Sequence, residues 1–172
     1  MKNLKFTTIS KAKKQVEVSY LTKTASSAKL IHSAKESNVL TTGLYLAPAN
    51  QSGYQVCSHS TPECRMACLN SSGRAAMELI AGKNKISECR NVKTQLLFEN
   101  QNFFMEWLIS EIIRDKKVAA NKGMHYAVRL NCTSDIDWSN ILYNGLNIFQ
   151  IFPEIEFYDY TTQYNLWDYK KR

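Results

Sequence analysis

The sequence predicts an α/β fold in which helical crossovers join a mostly parallel sheet, and a partial (β/α) barrel is one form of such a sheet. Two observations lead to this prediction. Short apolar or alternating segments typical of strands are separated by longer segments with apolar residues at helical spacing. Polar clusters follow three of these strand segments, as loops at the carboxyl ends of parallel strands commonly do.

Four segments have the pattern of strands. In QVEVSYL, the apolar residues Val16, Val18 and Tyr20 alternate with polar ones, which is the period-two pattern of a half-buried strand. The segment VLTTGLYLAPA is mainly apolar as far as Pro48, which interrupts strand pairing. HYAVRLN and EIEFYDY are rich in β-branched and aromatic residues. The predicted strands cover residues 16–20, 39–49, 125–131 and 154–160.

Five segments are compatible with helices. The clearest has Phe104, Trp107, Leu108 and Ile112 at helical spacing, so these side chains share one apolar face. Gly82 can end a shorter helix, because glycine readily adopts the left-handed conformation that closes many helices. The predicted helices cover residues 28–37, 73–82, 87–99, 102–119 and 141–152.

Length and charge divide the chain into two parts of one domain. A chain of 172 residues suits a single domain, 1–172, with its own apolar core. Its net charge is +7, and residues 1–37 contain eight lysines and two glutamates, a surplus of six. We therefore distinguish a basic N-terminal segment, 1–37, from an α/β core, 38–162. The basic segment is either a solvated surface or an arm that neutralises the phosphates of a nucleic acid.

Neither a membrane span nor an export signal is recognisable. No apolar run reaches the roughly 20 residues that a membrane-spanning helix needs, and the start MKNLKFTTISKAKKQ lacks the apolar part of a secretory signal. We therefore expect no membrane association and a cytoplasmic location. An odd number of cysteines, five, in such a chain favours reduced thiols or metal ligands over a disulfide framework.

Three cysteines lie in the loop YQVCSHSTPECRMACLN. The spacing C-x6-C-x3-C allows one loop to turn the sulfurs of Cys57, Cys64 and Cys68 toward one metal ion or cluster. A fourth ligand could be Cys89, on a predicted helix, or His59, inside the loop. A redox or structural thiol set and a nucleophilic cysteine are the alternatives, and a nucleophile would need a nearby base. The predicted cofactor is an iron–sulfur cluster or zinc.

Charged residues near the ends of the later strands need partners. Arg129 and Asp159 each lie in an apolar strand, so mutual pairing would satisfy both, and an anionic ligand is the other partner open to the arginine. Asp135 could bind a cation, act as a general base, or share with Ser134 the role of capping the next helix. Asp137 is expected to be solvated. We predict that the three strand-end loops meet at one site.

Two further residues of these loops have competing interpretations. Arg74 follows the segment NSSG near the start of a predicted helix, where free backbone N–H groups stabilise an anion such as phosphate. It is either part of an anion site or an ordinary surface residue of the first turn. Cys132 follows the strand that contains Arg129, and we expect it to pack as a small apolar side chain.

Four motifs occur in one order: LAPANQSGYQVCSHSTPECRMACLNSSGR, RNVKTQLLFEN, AVRLNCTSDIDW and FYDYTT. In this order they resemble phage- and plasmid-encoded proteins related to the mycobacteriophage gene product 88 group. The resemblance implies a mobile-element protein in the host cytoplasm, with Asn70, Lys93 and Asn131 among the family's motif residues, and it implies no particular activity. Longer relatives continue beyond the last motif, so the chain resembles a short form, for which homo-oligomerisation is an expectation.

These features together predict a phage-type protein whose cysteines bind a metal ion or an iron–sulfur cluster. Such a protein could be an enzyme that acts on a nucleotide or nucleic acid. The candidate catalytic residues are Arg129, Asp135 and Asp159, and the candidate cofactor-binding residues are Asn70, Arg74 and Asn131. The alternative is a non-enzymatic module that binds nucleic acid or a host protein, as a replication or counter-defence factor would. A third reading is a structural phage component in which the thiols only pack.

Overall fold

The strands form one larger sheet and one small hairpin. The computed structural model describes residue 13 and residues 18–24, 37–68, 74–82 and 84–162. Its strands are, in chain order, β1 (Thr22–Thr24), β2 (Val39–Leu44), β3 (His125–Arg129), β4 (Leu142–Tyr143), β5 (Leu146–Asn147) and β6 (Glu156–Phe157). The strand order in the larger sheet is β1, β2, β3, β6, and β4 pairs with β5 in an antiparallel hairpin.

Three neighbouring strands of the larger sheet are parallel. β2 pairs with β3, and β3 with β6, in the parallel sense, whereas β1 runs antiparallel to β2 at one edge. Parallel strands require crossover connections, and here helices lie in them, so the predicted α/β class and mostly parallel sheet are confirmed. The sheet is open, and its described strands do not close into a barrel.

Helices pack on the sheet and around its carboxyl end. Within the described residues they are α1 (Pro62–Met66), α2 (Arg74–Ile80), α3 (Lys85–Glu99), α4 (Gln101–Asn121) and α5 (Ile148–Ile151). The long helix α4 contacts β1, β2 and β3, and it buries Phe104, Trp107 and Leu108 completely, as their spacing predicts. Asn100 separates α3 from α4, because its side chain accepts a hydrogen bond from the first turn of α4.

The glycine predicted to end a helix does so. Gly82 has a φ of 66° and comes two residues after the last residue of α2. A residue with a side chain is strained in this left-handed conformation, so glycine is the natural choice at the end of α2. None of the helices in the described ranges is long and apolar enough to cross a membrane.

The prediction of a helix over residues 141–152 is wrong for the first half of that segment. Asn144 and Gly145 have φ values of 52° and 81°, and together they form the two-residue turn that joins β4 to β5. A short helix, α5, follows, started by a capping box between Asn147 and Gln150. An Asn-Gly pair favours a hairpin turn strongly enough to override the surrounding apolar residues.

The first predicted strand is displaced along the chain. Residues 18–20 are not in a strand, β1 begins at Thr22, and residues 16 and 17 lie outside the described residues. The later strands stand where they were predicted but end earlier, at residues 44, 129 and 157. The predicted helix over 28–37 and the site residue Asn70 also fall outside the described residues, except for residue 37.

A buried carboxylate fastens the start of the sheet to α4 and explains where β1 begins. Glu111 accepts hydrogen bonds from the backbone N–H groups of Leu21 (3.1 Å) and Thr22 (2.7 Å), from the Thr22 hydroxyl (2.9 Å) and from Trp107 Nε1 (2.9 Å). Lys93, also buried, donates from Nζ to the Leu21 carbonyl at 3.0 Å. Part of the basic segment 1–37 is therefore built into the core.

Candidate functional site

The loops that follow β2, β3 and β6 meet at one end of the sheet, as predicted. We call this region, residues 45–68, 130–138 and 158–162, the carboxyl edge. The Thr133 hydroxyl donates to the Leu46 carbonyl at 2.6 Å, and the Asp135 N–H donates to the Val56 carbonyl at 2.7 Å. These bonds join the first two loops, so the cysteine loop lies directly beside the loop that leaves β3.

Asp159 links the loop after β6 to the end of β3. Its two carboxylate oxygens accept the backbone N–H of Asn131 at 3.1 and 2.9 Å, and Arg129 Nε lies 3.4 Å from Oδ1. The predicted pairing of Arg129 with Asp159 is therefore confirmed. The Tyr160 ring lies 4.9 Å from the guanidinium carbon of Arg129, so a carboxylate and an aromatic ring both contact this guanidinium.

The carboxyl group of Asp159 titrates at an unusual pH. Burial raises its pKa to about 6, although the Asn131 N–H and Arg129 partly oppose that rise. The side chain is 14% exposed, so water solvates the carboxylate poorly. A carboxyl group with such a pKa changes its protonation close to neutral pH, which is the property required of a general acid or base.

Asn131 organises the loop between β3 and the 3₁₀ turn Trp138–Asn140. Its side-chain carbonyl accepts from the Ser134 hydroxyl (2.9 Å), the Ile136 N–H (3.1 Å) and Trp138 Nε1 (3.1 Å), while its amide donates to the Ile136 carbonyl (3.0 Å). The structure thus places this predicted cofactor-binding residue inside the loop, where its side chain holds neighbouring residues in position.

Asp135 joins the loop after β3 to the loop after β6, and Asp137, two residues later, caps the next turn. One Asp135 oxygen accepts from the Thr161 hydroxyl at 2.6 Å, and the other accepts from the N–H and hydroxyl of Thr162 at 3.2 and 2.9 Å. The cap of the turn 138–140 is Asp137, which accepts from the Ser139 N–H at 3.0 Å. We expected Asp137 to be solvated, but it is the cap, so of the alternatives left open for Asp135 and Ser134 the capping role is not the one that the structure shows.

The three loop thiols differ in exposure. Cys57 is half-buried, and its Sγ lies 3.9 Å from the Thr133 carbonyl oxygen, so burial raises the pKa of this thiol. Cys68 is also half-buried and lies within electrostatic range of Cys57. Cys64 is exposed on α1, and Cys89 packs against the core from α3. Within the described residues, no three His, Cys, Asp or Glu side chains are grouped so as to hold a metal ion.

Sequence reasoning missed Arg90. This residue lies on α3, and its guanidinium carbon is 5.3 Å from the centre of the Tyr45 ring. Burial lowers the pKa of Arg90, and Tyr45, Cys68 and Cys132 act in the opposite direction. A signal was available, because Arg90 stands at helical spacing from Lys93 and therefore on the buried face of α3.

The guanidinium groups of Arg90 and Arg129 both act electrostatically on the buried thiol of Cys132. Burial raises the pKa of this thiol to about 11, Arg129 and Arg90 oppose the rise, and Asp159 adds to it. Cys132 is 5% exposed, so the expectation that it packs is confirmed. Because Arg90 and Arg129 act on the same sulfur, residues far apart in the sequence bring two positive charges to the carboxyl edge.

Arg74 stands at the first position of α2, as expected. Its side chain lies outside the part of the chain whose side chains are described, and so does the whole of Asn70. Their predicted anion- and cofactor-binding roles stay predictions. The described part of the carboxyl edge therefore consists of the cysteine loop, the loop after β3, the loop after β6 and Arg90 on α3.

The four sequence motifs all lie within a match to a known protein family. The Gene product 88 family matches residues 8–171, nearly the whole chain, and this range includes all three loops of the carboxyl edge. Searches of curated proteins and of solved structures found no match. The family match agrees with the resemblance that the motifs carry and with a phage-related protein. The chain belongs to the Gene product 88 family.

Proposed function

We propose that the carboxyl edge binds a phosphate-bearing ligand of the nucleotide or nucleic-acid class. The observation that carries this proposal is the placement of Arg129 at the carboxyl end of β3, where Asp159 and Tyr160 contact its guanidinium, while Arg90 also acts electrostatically on the nearby Cys132 thiol. The two positive charges of these arginines outnumber the one carboxylate, Asp159, that acts on the same thiol. Guanidinium groups bind phosphate through paired, charge-assisted hydrogen bonds, which are stronger in a partly buried site than in water.

The surroundings of Arg129 support this proposal. Its side chain is 18% exposed, Asp159 contacts its Nε, and Tyr160 lies over the guanidinium. These contacts hold the planar group in one orientation before a ligand arrives, so less conformational entropy is lost on binding. The location also fits, because open sheets with parallel strands bind ligands beyond the carboxyl ends of those strands.

Asp159 is the best candidate for proton transfer if the bound ligand reacts. Its pKa, which burial raises to about 6, allows both protonation states to be populated near neutral pH. Its contact with Arg129 would keep it close to a phosphate group held by that arginine. Arg129 would then position and neutralise the ligand, and Asp135 would hold the loops together through Thr161.

Calorimetric titration with inorganic phosphate and adenosine monophosphate tests the proposal. Arg90→Gln and Arg129→Gln should each weaken binding of both probes about tenfold or more, since a hydrogen bond to a charged group contributes roughly 1.5–3 kcal/mol. Lys116→Gln is the matched control, because it removes one positive charge from an exposed pair with Glu154. Unchanged affinity in the double variant Arg90→Gln/Arg129→Gln, or no binding by the wild type, would contradict the proposal.

The alternative function, nucleic-acid or host-protein binding by the basic segment alone, needs a variant that leaves the core intact. Deleting residues 1–37 would remove β1 and the partners of Glu111, so a loss of binding would be uninformative. Replacing the lysines before residue 18 with glutamine keeps β1. If this variant loses affinity and salt dependence for a single-stranded oligonucleotide while Arg129→Gln keeps both, the basic segment is the binding element.

A thiolate metal or iron–sulfur centre is a second proposal. The electrostatic proximity of Cys57 and Cys68 supports it, whereas the exposed position of Cys64 on α1 does not complete a ligand set. Anaerobic purification followed by metal analysis and a visible spectrum tests it. Cys57→Ser and Cys68→Ser should abolish bound metal, and Cys89→Ser, on the core-facing side of α3, should retain it. A metal-free wild type would contradict this proposal.

A further inference from the structure

A cavity of about 310 Å³ opens beside the cysteine loop and is separate from the two arginines. It lies between that loop, the carboxyl end of α3 and the segment 135–141. Its apolar walls include Val56, Leu97, Phe98 and Ile141, and the carboxylates of Asp135 and Asp137 also border it. This volume is at the small end of the range of roughly 300–1,000 Å³ that is typical of small-molecule sites.

The charge of the lining selects the kind of group that can enter. Two carboxylates border the cavity, together with the amides of Gln55 and Gln101, and none of its lining residues in the described part of the chain is a lysine or an arginine. A phosphate would be repelled by such a lining, whereas a neutral ring with N–H donors would be attracted. The polar groups of the lining match the edge of a nucleobase that bears an exocyclic amine.

An aromatic pair at the cavity offers a stacking surface. The rings of Phe98 and Tyr54 are parallel, with centroids 4.6 Å apart, and the Tyr54 hydroxyl donates to Glu99. Phe98 lines the cavity and is 45% exposed, which is unusual for so large an apolar side chain. Planar bases stack on exposed aromatic rings of this kind, and the stacking tolerates different bases.

The loop after β6 connects the cavity with Arg129. Asp135 borders the cavity and accepts a hydrogen bond from Thr161, which comes two residues after Asp159, the ion partner of Arg129. Asp135 also acts electrostatically on Cys57, and Cys68 acts on both Cys57 and Arg90. The loop after β3 therefore contributes to the cavity lining, and the loop after β6, which is hydrogen-bonded to it, contributes to the surroundings of Arg129.

We infer that this cavity is a base-binding subsite and that the ligand of the carboxyl edge is a nucleotide with an amino base. The inference rests on the proposed phosphate site for the orientation of the whole nucleotide, but the cavity can also be tested without a phosphate. The base stacks beside Phe98, and Asp135 and Gln101 lie at its polar edge. The phosphate extends toward Arg129 and Arg90.

Calorimetric titration with adenosine monophosphate, adenosine and ribose 5-phosphate separates the two parts of the site. The wild type should bind adenosine monophosphate at least about fivefold more tightly than ribose 5-phosphate, because base stacking contributes roughly 1–3 kcal/mol. Phe98→Ala should remove this difference and leave ribose 5-phosphate affinity unchanged. Ile141→Trp, which fills the cavity, should do the same and guards against a folding defect in the first variant.

Tyr20→Ala is the control, because Tyr20 is 46% exposed, almost the same as Phe98, and lies outside the cavity. Equal affinity of the wild type for adenosine monophosphate and ribose 5-phosphate, or adenosine binding unaffected by both cavity variants, would overturn the inference while leaving the phosphate site untouched. If ribose 5-phosphate fails to bind and adenosine still depends on Phe98, the phosphate proposal is wrong and the base subsite is supported.

Discussion

Glu111, which is buried, and Asp159, which is partly buried, both accept hydrogen bonds from backbone N–H groups, but they differ in the number and kind of their other partners. Glu111 is 2% exposed and accepts four hydrogen bonds, two of them from backbone N–H groups beside β1. Both carboxylate oxygens of Asp159 accept from a single backbone N–H, that of Asn131, and Oδ1 also pairs with Arg129 Nε at 3.4 Å. Burial raises the pKa of Asp159 to about 6. The donors around Glu111 come from the fold of the chain itself, whereas Asp159 accepts from fewer groups at the end of the sheet.

We interpret the difference as one between a structural charge, Glu111, and a candidate site residue, Asp159. A buried carboxylate with many donors fixes the chain that supplies those donors, and its removal leaves several of them unpaired. A carboxylate with fewer donors and a raised pKa, at the end of a sheet beside an arginine, is typical of a reactive or ligand-binding site. Burial and a raised pKa alone do not identify a site, because Asp115 on α4 is also buried beside an arginine with a raised pKa; the position of Asp159 among the strand-end loops is what makes it the candidate.

The largest effect is expected from Glu111. Glu111→Ala should reduce the free energy of unfolding by about 3–5 kcal/mol, because the buried N–H groups of residues 21 and 22, the Thr22 hydroxyl and the Trp107 indole would all lose their acceptor. Urea unfolding measures it, with Glu106→Ala, an exposed residue of the same helix, as the control. A loss below about 1 kcal/mol would refute the structural role of Glu111.

A smaller, pH-dependent effect is expected from Asp159. Its folded-state pKa, about 6, lies above the ordinary 3.8, so the folded protein holds this proton more tightly than the unfolded chain does. The contribution to stability is full below about pH 4 and is lost as the pH rises through about 6. The stability advantage of the wild type over Asp159→Asn should therefore fall by roughly 1–3 kcal/mol between these limits.

Urea unfolding of both proteins across this pH range measures the change. Glu154→Gln is a control of opposite sign, because Lys116 lowers the pKa of Glu154, and the advantage of the wild type over that variant should grow with pH. A pH-independent difference between wild type and Asp159→Asn would show that Asp159 is as fully held by its donors as Glu111.

The smallest effect is expected from the exposed thiol of the cysteine loop. Cys64→Ser should change the free energy of unfolding by less than about 0.5 kcal/mol, since Cys64 is exposed on α1. Cys132→Ser places a hydroxyl in a buried position and should cost about 1 kcal/mol or more. Thermal unfolding of the two variants compares them. A larger loss for Cys64→Ser would favour the interpretation in which the loop thiols are only part of the core.

Local sequence patterns predicted much of the fold and of the site. The apolar spacing of Phe104, Trp107 and Leu108 predicted α4, and polar residues after apolar strands predicted the convergence of three loops. The mutual need of Arg129 and Asp159 for a partner predicted their contact. Each of these predictions depends on a single strong local preference or on a pair of charges that cannot be buried alone.

What could not be predicted depends on tertiary contacts. The start of β1 depends on Glu111, about ninety residues away along the chain, because its carboxylate binds the backbone N–H groups of Leu21 and Thr22. The role of Arg90 depends on how α3 packs over the loop after β3. Homo-oligomerisation and metal binding stay predictions, since they concern partners outside the folded chain.

The most direct test of the phosphate site is an NMR titration of the arginine side chains. Adenosine monophosphate is added to the ¹⁵N-labelled protein, and the Nε–Hε signals are followed. The account predicts that the signals of Arg90 and Arg129 move together with one midpoint, while that of Arg114, which pairs with Asp115 on α4, stays in place. Unmoved signals from Arg90 and Arg129, or equal movement of all three, would contradict the proposal that these two arginines form a specific phosphate site.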